Sequence, residues 1–391
     1  MKIFAIGIGQ CGSNIADEFY VINKYSKSFF GRGIEIITNA VAINTDETDL
    51  GSFRHIPDDR RHRILIGAIR AHGHGVGKVN VEAARIIRES QTFLSDNILN
   101  AKKFHESDAV IVIASGGGGT GSGSIGWLVK LLKERIDKPV YAIIVLPFEY
   151  EEKGLTSYAV TNTATCLKTV SNYADAVFLL DNERFGKTES TLGVNLQEIN
   201  RQMVGNFYDL FCAGEEKRYK YVGSKVMDAG DIRQSLEGIT TIGRGVVALS
   251  AFSLRRKEHF REGLKESTII AEALEKAVNN LCLTIDLEDT RKVLALIGAP
   301  RKAVTLIALE EIATYLEDRC PKAVIRIGDY PRRVGEVSVT LLASKLTKVE
   351  RVENMYRRAE KIFKSQEEID KESDLKIKAL YEASKNIPTL D

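Results

Sequence analysis

Apolar and polar positions alternate along the first half of the chain in a way that predicts strands and helices by turns. Ile3–Ile8 is a continuous apolar run with the length of a buried strand. Ile15, Phe19 and Ile22 then recur at helical spacing. Short apolar runs return at Val41–Ile43 and Ile64–Ile66, and Val81, Ala84, Phe93 and Leu94 suit helix. Val110–Ala114 reads as another buried strand, followed by a helix carrying Ile125, Leu128 and Leu132. Tyr141–Leu146, ended by Pro147, and Val177–Leu180 continue the series. Such alternation predicts a parallel sheet covered on both faces, with right-handed crossovers. Ligands of these sheets bind outside the carboxyl ends of the strands.

Leu196, Ile199, Met203 and Phe207 mark a long, mostly buried helix over 194–213. After Gly223 the pattern changes. Val246–Phe252, Val293–Ile297, Val324–Ile327 and Val337–Leu342 suggest a second sheet with helices between. Val352, Met355, Tyr356, Ala359, Ile362 and Phe363 form an amphipathic helix pattern. From Ser365 the chain is mostly Lys, Glu and Asp with thin apolar spacing, as in a solvated or partner-facing helix. The expected organisation is a parallel-sheet domain over 1–193, a linking helix over 194–215, a smaller α+β domain over 216–345, and charged helices over 346–391.

Composition narrows the function classes. At 391 residues the chain has room for two or three domains, and 44% apolar residues supply their cores. The 55 Lys and Arg nearly cancel the 53 Asp and Glu. A net charge of +2 offers no broad basic field for nucleic acid. No apolar run approaches the roughly 20 residues of a membrane span. Met1–Ile8 passes directly into a glycine turn and carries no leader-type cleavage site. The five Cys, at 11, 166, 212, 282 and 320, are scattered and form no CxxC pair. This fits reduced thiols in a cytoplasm, with neither a disulfide framework nor a zinc site.

The strongest chemical signal is the run Gly116-Gly117-Gly118-Gly119-Thr120-Gly121-Ser122-Gly123, between a strand and a helix. A tight turn needs one or two glycines. So many allow successive backbone N–H groups to converge on one anion, aided by the helix N-terminus, with the Thr120 and Ser122 hydroxyls as further donors. The anion is best read as a di- or triphosphate. No GxxxxGK[ST] is present, so this is not a Walker A loop. A second turn, Gly7-Ile8-Gly9-Gln10-Cys11-Gly12, matches GxGxxG. The acid that a dinucleotide fold expects about 20 positions later is missing: that region holds Gly31-Arg32-Gly33, and the next acid after a strand is Asp46. A third, Gly73-His74-Gly75-Val76-Gly77-Lys78, also precedes a helix. Its two His, at 72 and 74, lack further ligands for a metal, which favours a phosphate-facing loop.

Taken together these loops resemble the tubulin/FtsZ superfamily of GTPases. Gly117–Gly123 reads GGGTGSG, similar to that superfamily's characteristic run. Gly9-Gln10-Cys11-Gly12 resembles the first tubulin nucleotide loop, and Asn44-Thr45-Asp46 the second loop of the FtsZ branch. Pro147-Phe148 with Glu151 resembles a PFxxE segment, and Asp181-Asn182-Glu183 the tubulin DNE run. The mixture most resembles the archaeal CetZ group, which is linked to cell shape. The resemblance implies a Rossmann-like GTPase domain, a long central helix and a smaller α+β domain. It implies GTP or GDP as ligand, with Gln10, Cys11, Gly12, Ser13 and Asn14 along the phosphates and sugar. Gly117, Gly118, Gly119, Thr120, Gly121 and Ser122 would cradle the phosphates, and Gly75, Val76 and Gly77 would face the γ-phosphate. Glu151 would bind the ribose. Asn182 and Asn200, rather than Asn195, would read guanine, because an amide offers both a donor and an acceptor. Mg²⁺ would be held mainly by the phosphates, with Asp46 reaching it through water.

The resemblance also assigns a catalytic segment, Gly223-Ser224-Lys225-Val226-Met227-Asp228-Ala229-Gly230-Asp231. Read alone, Asp228 and Asp231 suit helix N-terminal caps. In the family this segment completes the nucleotide site of the next subunit, which would make the two acids catalytic and hydrolysis dependent on head-to-tail assembly. The charged end of the chain leaves three roles open: lateral contact, membrane-adaptor binding or neither. Two departures stand out: Val226 replaces the family's Asn, and Leu155 stands where the FtsZ branch has Arg. Two other classes stay open at this point. One is a GTP-binding scaffold that does not hydrolyse. The other, disfavoured by the missing ribose acid, is an NAD(P)-dependent oxidoreductase.

Overall fold

The computed structural model describes residues 1–28, 31–154, 157–185, 192–216, 223, 225–248, 259–300, 304–331, 335–385 and 387, and the backbone alone for 192–195, 259–267 and 370. Leu155, Ser224, positions 249–252 of the expected strand and the side chain of Asn195 lie outside the described residues.

Six parallel strands open the fold: β1 (Ile3–Ile8), β2 (Ile37–Asn44), β3 (Arg63–Leu65), β4 (Ala109–Ser115), β5 (Val140–Leu146) and β6 (Ala176–Asp181). Their alternating side chains serve two cores, as the pleat requires. On β1, Ile3 and Ala5 face one side, and Phe4, Ile6 and Ile8 face the other. The first side is covered by α1 (Gly9–Lys27) and by α7 (Leu192–Ala213), the long central helix. Phe19 of α1 meets Phe207 of α7 edge-on at 5.6 Å, and both are fully buried. The second side is covered by α3 (Asn80–Glu89), α4 (Gln91–Leu99), α5 (Thr120–Arg135) and α6 (Tyr158–Val170). Within α3 and α4 the sequence pattern marks the wrong face in part. Val81 and Phe93 are exposed, whereas Ala83, Ile86, Ile87, Leu94 and Ile98 are the buried positions.

The expected second sheet is not separate. The strands β7 (Gly238–Ala248), β8 (Lys292–Ala299), β9 (Val324–Pro331) and β10 (Glu336–Ser344) continue the first sheet in the order β3-β2-β1-β4-β5-β6-β7-β10-β8-β9. The join is short. Ala176, Val177 and Phe178 of β6 pair in parallel with Gly238, Ile239 and Thr240 of β7. Beyond it β10 runs antiparallel to both β7 and β8. The helices α9 (His259–Asn279) and α10 (Leu306–Arg319) accompany this half, whose core includes Ile270, Leu274, Ile312 and Leu316. Two short helices begin at capping acids. Asp46 caps α2 (Glu47–Gly51), and Asp228 caps α8 (Ala229–Ser235).

The charged end forms one helix, α11 (Glu350–Ser384), in place of several. Met355, Ala359 and Ile362 bury against Val160 and Ala164 of α6. Ile369, Leu375, Ile377, Leu380 and Tyr381 are exposed. No helix among the described residues is long and apolar enough to cross a membrane.

Candidate nucleotide site

The parallel strands end together, and the glycine-rich turns meet at their carboxyl ends. Gly9, with φ +69°, turns β1 directly into α1. Gly12 lets α1 lie against β4, because a Cβ there would come within 2.1 Å of the Ile113 carbonyl oxygen. The turn after β4 sits beside it: a Cβ on Gly9 would be 3.2 Å from the Gly121 nitrogen. The loop before α3 closes over the same turn, and a Cβ on Gly119 would meet Lys78 Cα and Val76 Cγ2 at 2.8 Å. Positive φ recurs in that loop at His72, Gly73, Gly75, Gly77 and Lys78. Such curled backbone turns N–H groups toward a common centre.

Side chains then tie the loops to one another. Thr45 Oγ1 and Thr120 Oγ1 share a hydrogen bond of 2.7 Å, linking the ends of β2 and β4. Asp46 forms an isolated backbone bridge with His74, and its carboxylate accepts from the Asp49 N–H at 3.1 Å. Asn162 of α6, nearly buried, donates to the carbonyls of Lys78 at 2.8 Å and Gly118 at 3.1 Å. Sequence reasoning missed Asn162, which sits in the middle of a helix with no motif around it. It braces two loops that lie 40 residues apart in the chain.

The expected residues divide into those that face this edge and those that build it. Gln10 is exposed, and Cys11, Asn14, Asp46, Gly75, Val76, Gly118 and Thr120 are partly so. Ser13 is fully buried, and its hydroxyl donates to the Gly7 carbonyl at 3.2 Å. The Ser122 hydroxyl donates to the carbonyls of Gly118 and Gly119. Both use the hydroxyl to satisfy local backbone groups, a habit of Ser near helix starts. Burial and the nearby Glu151 carboxylate push the Cys11 thiol up to about 12, so it stays a neutral wall of the site.

The ends of β5 and β6 add a third side. The Glu151 carboxylate accepts from the Phe148 N–H at 3.0 Å and is exposed, while its neighbour Glu152 is buried. Glu183 bridges back to this segment, accepting from the Glu149 N–H at 2.6 Å. Asn182 is nearly buried between them in sequence. Asn200 is the ninth of the 22 residues of α7. Near the end of that helix the Met1 amino group donates to the Phe211 carbonyl at 2.8 Å, beside the start of β1. The eleven steps from Asn200 to Phe211 rise about 17 Å, which brings Asn200 back toward the carboxyl ends. A cavity of about 550 Å³ lined by Arg184, Arg201, Asn206 and Arg244 shares no residue with these loops.

Asp228 and Asp231 lie at the other edge of the sheet. They cap α8 reciprocally: Asp228 Oδ1 accepts from the Asp231 N–H at 2.8 Å, and Asp231 Oδ2 from the Asp228 N–H at 3.2 Å. Asp228 is nonetheless exposed. Helix α8 leads into β7 at Gly238, which pairs with the first residue of β6. Ile232 and the Met1 nitrogen both crowd Gly214, so α8 stands by the amino ends of the strands. A strand of six residues, as β1 is, spans about 20 Å. The two edges of one chain are therefore about that far apart.

A parallel sheet whose first strands end in three glycine-rich turns is the framework of a nucleotide-binding α/β protein. The model for the Tubulin/FtsZ family, GTPase domain, matches residues 2–189, and that for the Tubulin-like CetZ, C-terminal domain, matches residues 189–361. The chain belongs to the tubulin/FtsZ family of GTPases, with a C-terminal domain of the CetZ kind. It is 29% identical over 365 residues to tubulin-like protein CetZ3 of Haloferax volcanii, covering 91% of this chain and 90% of the relative. Among solved structures it is similar to CetZ2 from Haloferax volcanii as a GTPγS-bound protofilament: TM-score 0.80, 27% identity, 94% of this chain and 100% of that one. CetZ1 from the same organism, a GDP-bound monomer, gives a TM-score of 0.77 with the same identity and coverage. A GTPase-domain match over the whole first half leaves the oxidoreductase alternative without support.

Proposed function

We propose that this chain binds GTP across its strand-end loops and hydrolyses it only in a head-to-tail filament. One observation carries the reading: the glycine loops and the Asp228–Asp231 pair stand at opposite edges, about 20 Å apart. A carboxylate at that distance cannot polarise a water on its own chain's nucleotide. It can do so on the next copy, if copies stack along the strand direction. Such a contact is heterologous and extends into a filament. The similarity to a GTPγS-bound protofilament supports the same arrangement.

In this reading the N–H groups of Gln10, Cys11, Gly12 and Gly117–Gly121 receive the phosphates, and Gly75–Gly77 faces the terminal one. Glu151 takes the ribose, and Asn182 and Asn200 select guanine. No cluster of three metal-binding side chains exists among the described residues. Asp46, partly exposed beside Gly75, suits a cation held chiefly by phosphate, and Mg²⁺ there would neutralise charge on the leaving group. Asp228 and Asp231 of the adjoining copy orient and polarise the attacking water, so the chemistry is positioning and electrostatics. A role in cell shape or division follows from filament formation.

A second reading, a GTP-binding scaffold without turnover, rests on Val226. It is 55% exposed on the catalytic segment, where the family's amide would have supplied a polar contact. GTP turnover per chain, measured across a wide protein concentration range with Mg²⁺ and with ATP as control, separates the two. Assembly-dependent catalysis gives a rate that climbs above a threshold, for GTP only. A flat rate at every concentration sinks it, and tight GTP binding without turnover selects the scaffold.

A further inference from the structure

Glu152 is an acid that the site above does not use, yet it is 1% exposed and fully engaged. Arg351 of α11 donates to both of its oxygens, at 2.5 and 3.2 Å. Arg358, two turns on, donates to Glu152 Oε2 at 2.5 Å and to its backbone carbonyl at 2.6 Å. Arg351 also donates to the Pro147 carbonyl at 3.0 Å, and its Nε lies 3.3 Å from Asp181 Oδ2. The two arginines thus hold both ends of the segment 147–152 by hydrogen bonds, and Arg351 adds an ion pair, without a hydrogen bond, to the last residue of β6. Glu151 lies inside that segment, and Asn182 is the next residue after Asp181.

We infer that Arg351 and Arg358 are positioning residues for the nucleotide. Through Glu152 and Pro147 they fix the turn that presents Glu151, and through Asp181 the turn that presents Asn182. The inference rests on the proposed nucleotide site. Arginine suits the task because its planar fork fixes direction as well as charge. If the cluster served only to fasten α11, one contact anywhere on α6 would do. The apolar seat of Met355, Ala359 and Ile362 on α6 already supplies that. What the cluster adds is a grip on both turns.

The test is GDP affinity by calorimetry on the full chain, below any assembly threshold, read beside thermal unfolding. Arg351→Ala and Glu152→Gln are each expected to weaken GDP binding about tenfold. Because the two residues act on one another, the double variant should be no weaker than either single one. Met355→Ala, which loosens α11 on α6 away from the turns, should lower the unfolding temperature and leave GDP affinity unchanged. If Arg351→Ala fails to fold, Arg351→Lys keeps the charge, loses the fork and carries the same expectation. Unchanged affinity in the Arg351 and Glu152 variants, or an equal loss in Met355→Ala, overturns the inference. A wild-type chain that binds no guanine nucleotide overturns the functional reading first, and this inference with it.

Discussion

The two edges of the sheet are built from different parts of the amino-acid alphabet. The carboxyl edge is rich in glycine, with Gly9, Gly12, Gly75, Gly77, Gly117, Gly118, Gly119 and Gly121 in its turns. The amino edge is made of charges. Met1 pairs with Glu215 at 3.0 Å, Lys103 and Lys27 pair with Glu35, and Asp228 and Asp231 hold one another's N–H groups. A polyanion is best held by many N–H groups that arrive without bulk, while a water is best polarised by fixed carboxylates. Each edge suits one of these tasks and is poor at the other.

The largest expected effect breaks the amino edge alone. Asp228→Ala should cut GTP turnover by about a hundredfold or more and leave nucleotide affinity intact, as turnover and binding assays would report. Gly119→Val should abolish nucleotide binding and turnover with it, because its side chain would wedge against Val76 and Lys78. Mixing the two variants should restore part of the turnover, since each supplies the edge that the other lacks. A mixture as inactive as its parts would mean that the edges do not meet.

A subtler change separates capping from chemistry at the same residue. Asn caps a helix about as well as Asp, so Asp228→Asn should hold thermal stability within about 0.5 kcal/mol, while the alanine variant loses about 1 kcal/mol. Turnover should fall in both. If Asp228→Asn retains turnover, the carboxylate is a cap and nothing more. At the carboxyl edge, the upward shift of Cys11 by burial and Glu151 should make it resist alkylation at pH 8. All five thiols should react once the chain is unfolded.

The smallest effect lies with Glu35. Burial raises its pKa, but the hydrogen bonds and charges of Lys103 and Lys27 outweigh that and leave it below the usual carboxylate range. Its contribution is present above the unfolded-state pKa and is lost as pH falls through the lowered folded value. Acid titration of stability should show a loss below about 1 kcal/mol in that window, absent from Glu35→Gln.

The glycine turns were legible in the sequence because the task leaves no substitute for a missing side chain. The parallel pairing of the first six strands followed from alternation of strand and helix, though their order did not. The join between β6 and β7 did not, because it rests on three residue pairs about 60 positions apart and has no local pattern. The sequence offers the Ser122 hydroxyl as a donor to the ligand, and in the structure it donates to carbonyls of its own turn. A hydroxyl serves either purpose, and only geometry decides which. Asn162 and Glu152 carried no signal because their partners come from distant helices and loops. Asp228 and Asp231 were visible as a pair, but capping and catalysis call for the same two residues at the same spacing.

The length of α11 has a mechanical consequence. At 35 residues it is a rod of about 50 Å, held over its first turns by Arg351, Met355, Arg358 and Ile362. Its distal turns run on with exposed side chains. A straight rod gripped at one end magnifies angle into distance. Each degree of tilt at the grip moves the tip, about 33 Å beyond Ile362, by about 0.6 Å, and eight degrees by roughly the spacing of neighbouring strands.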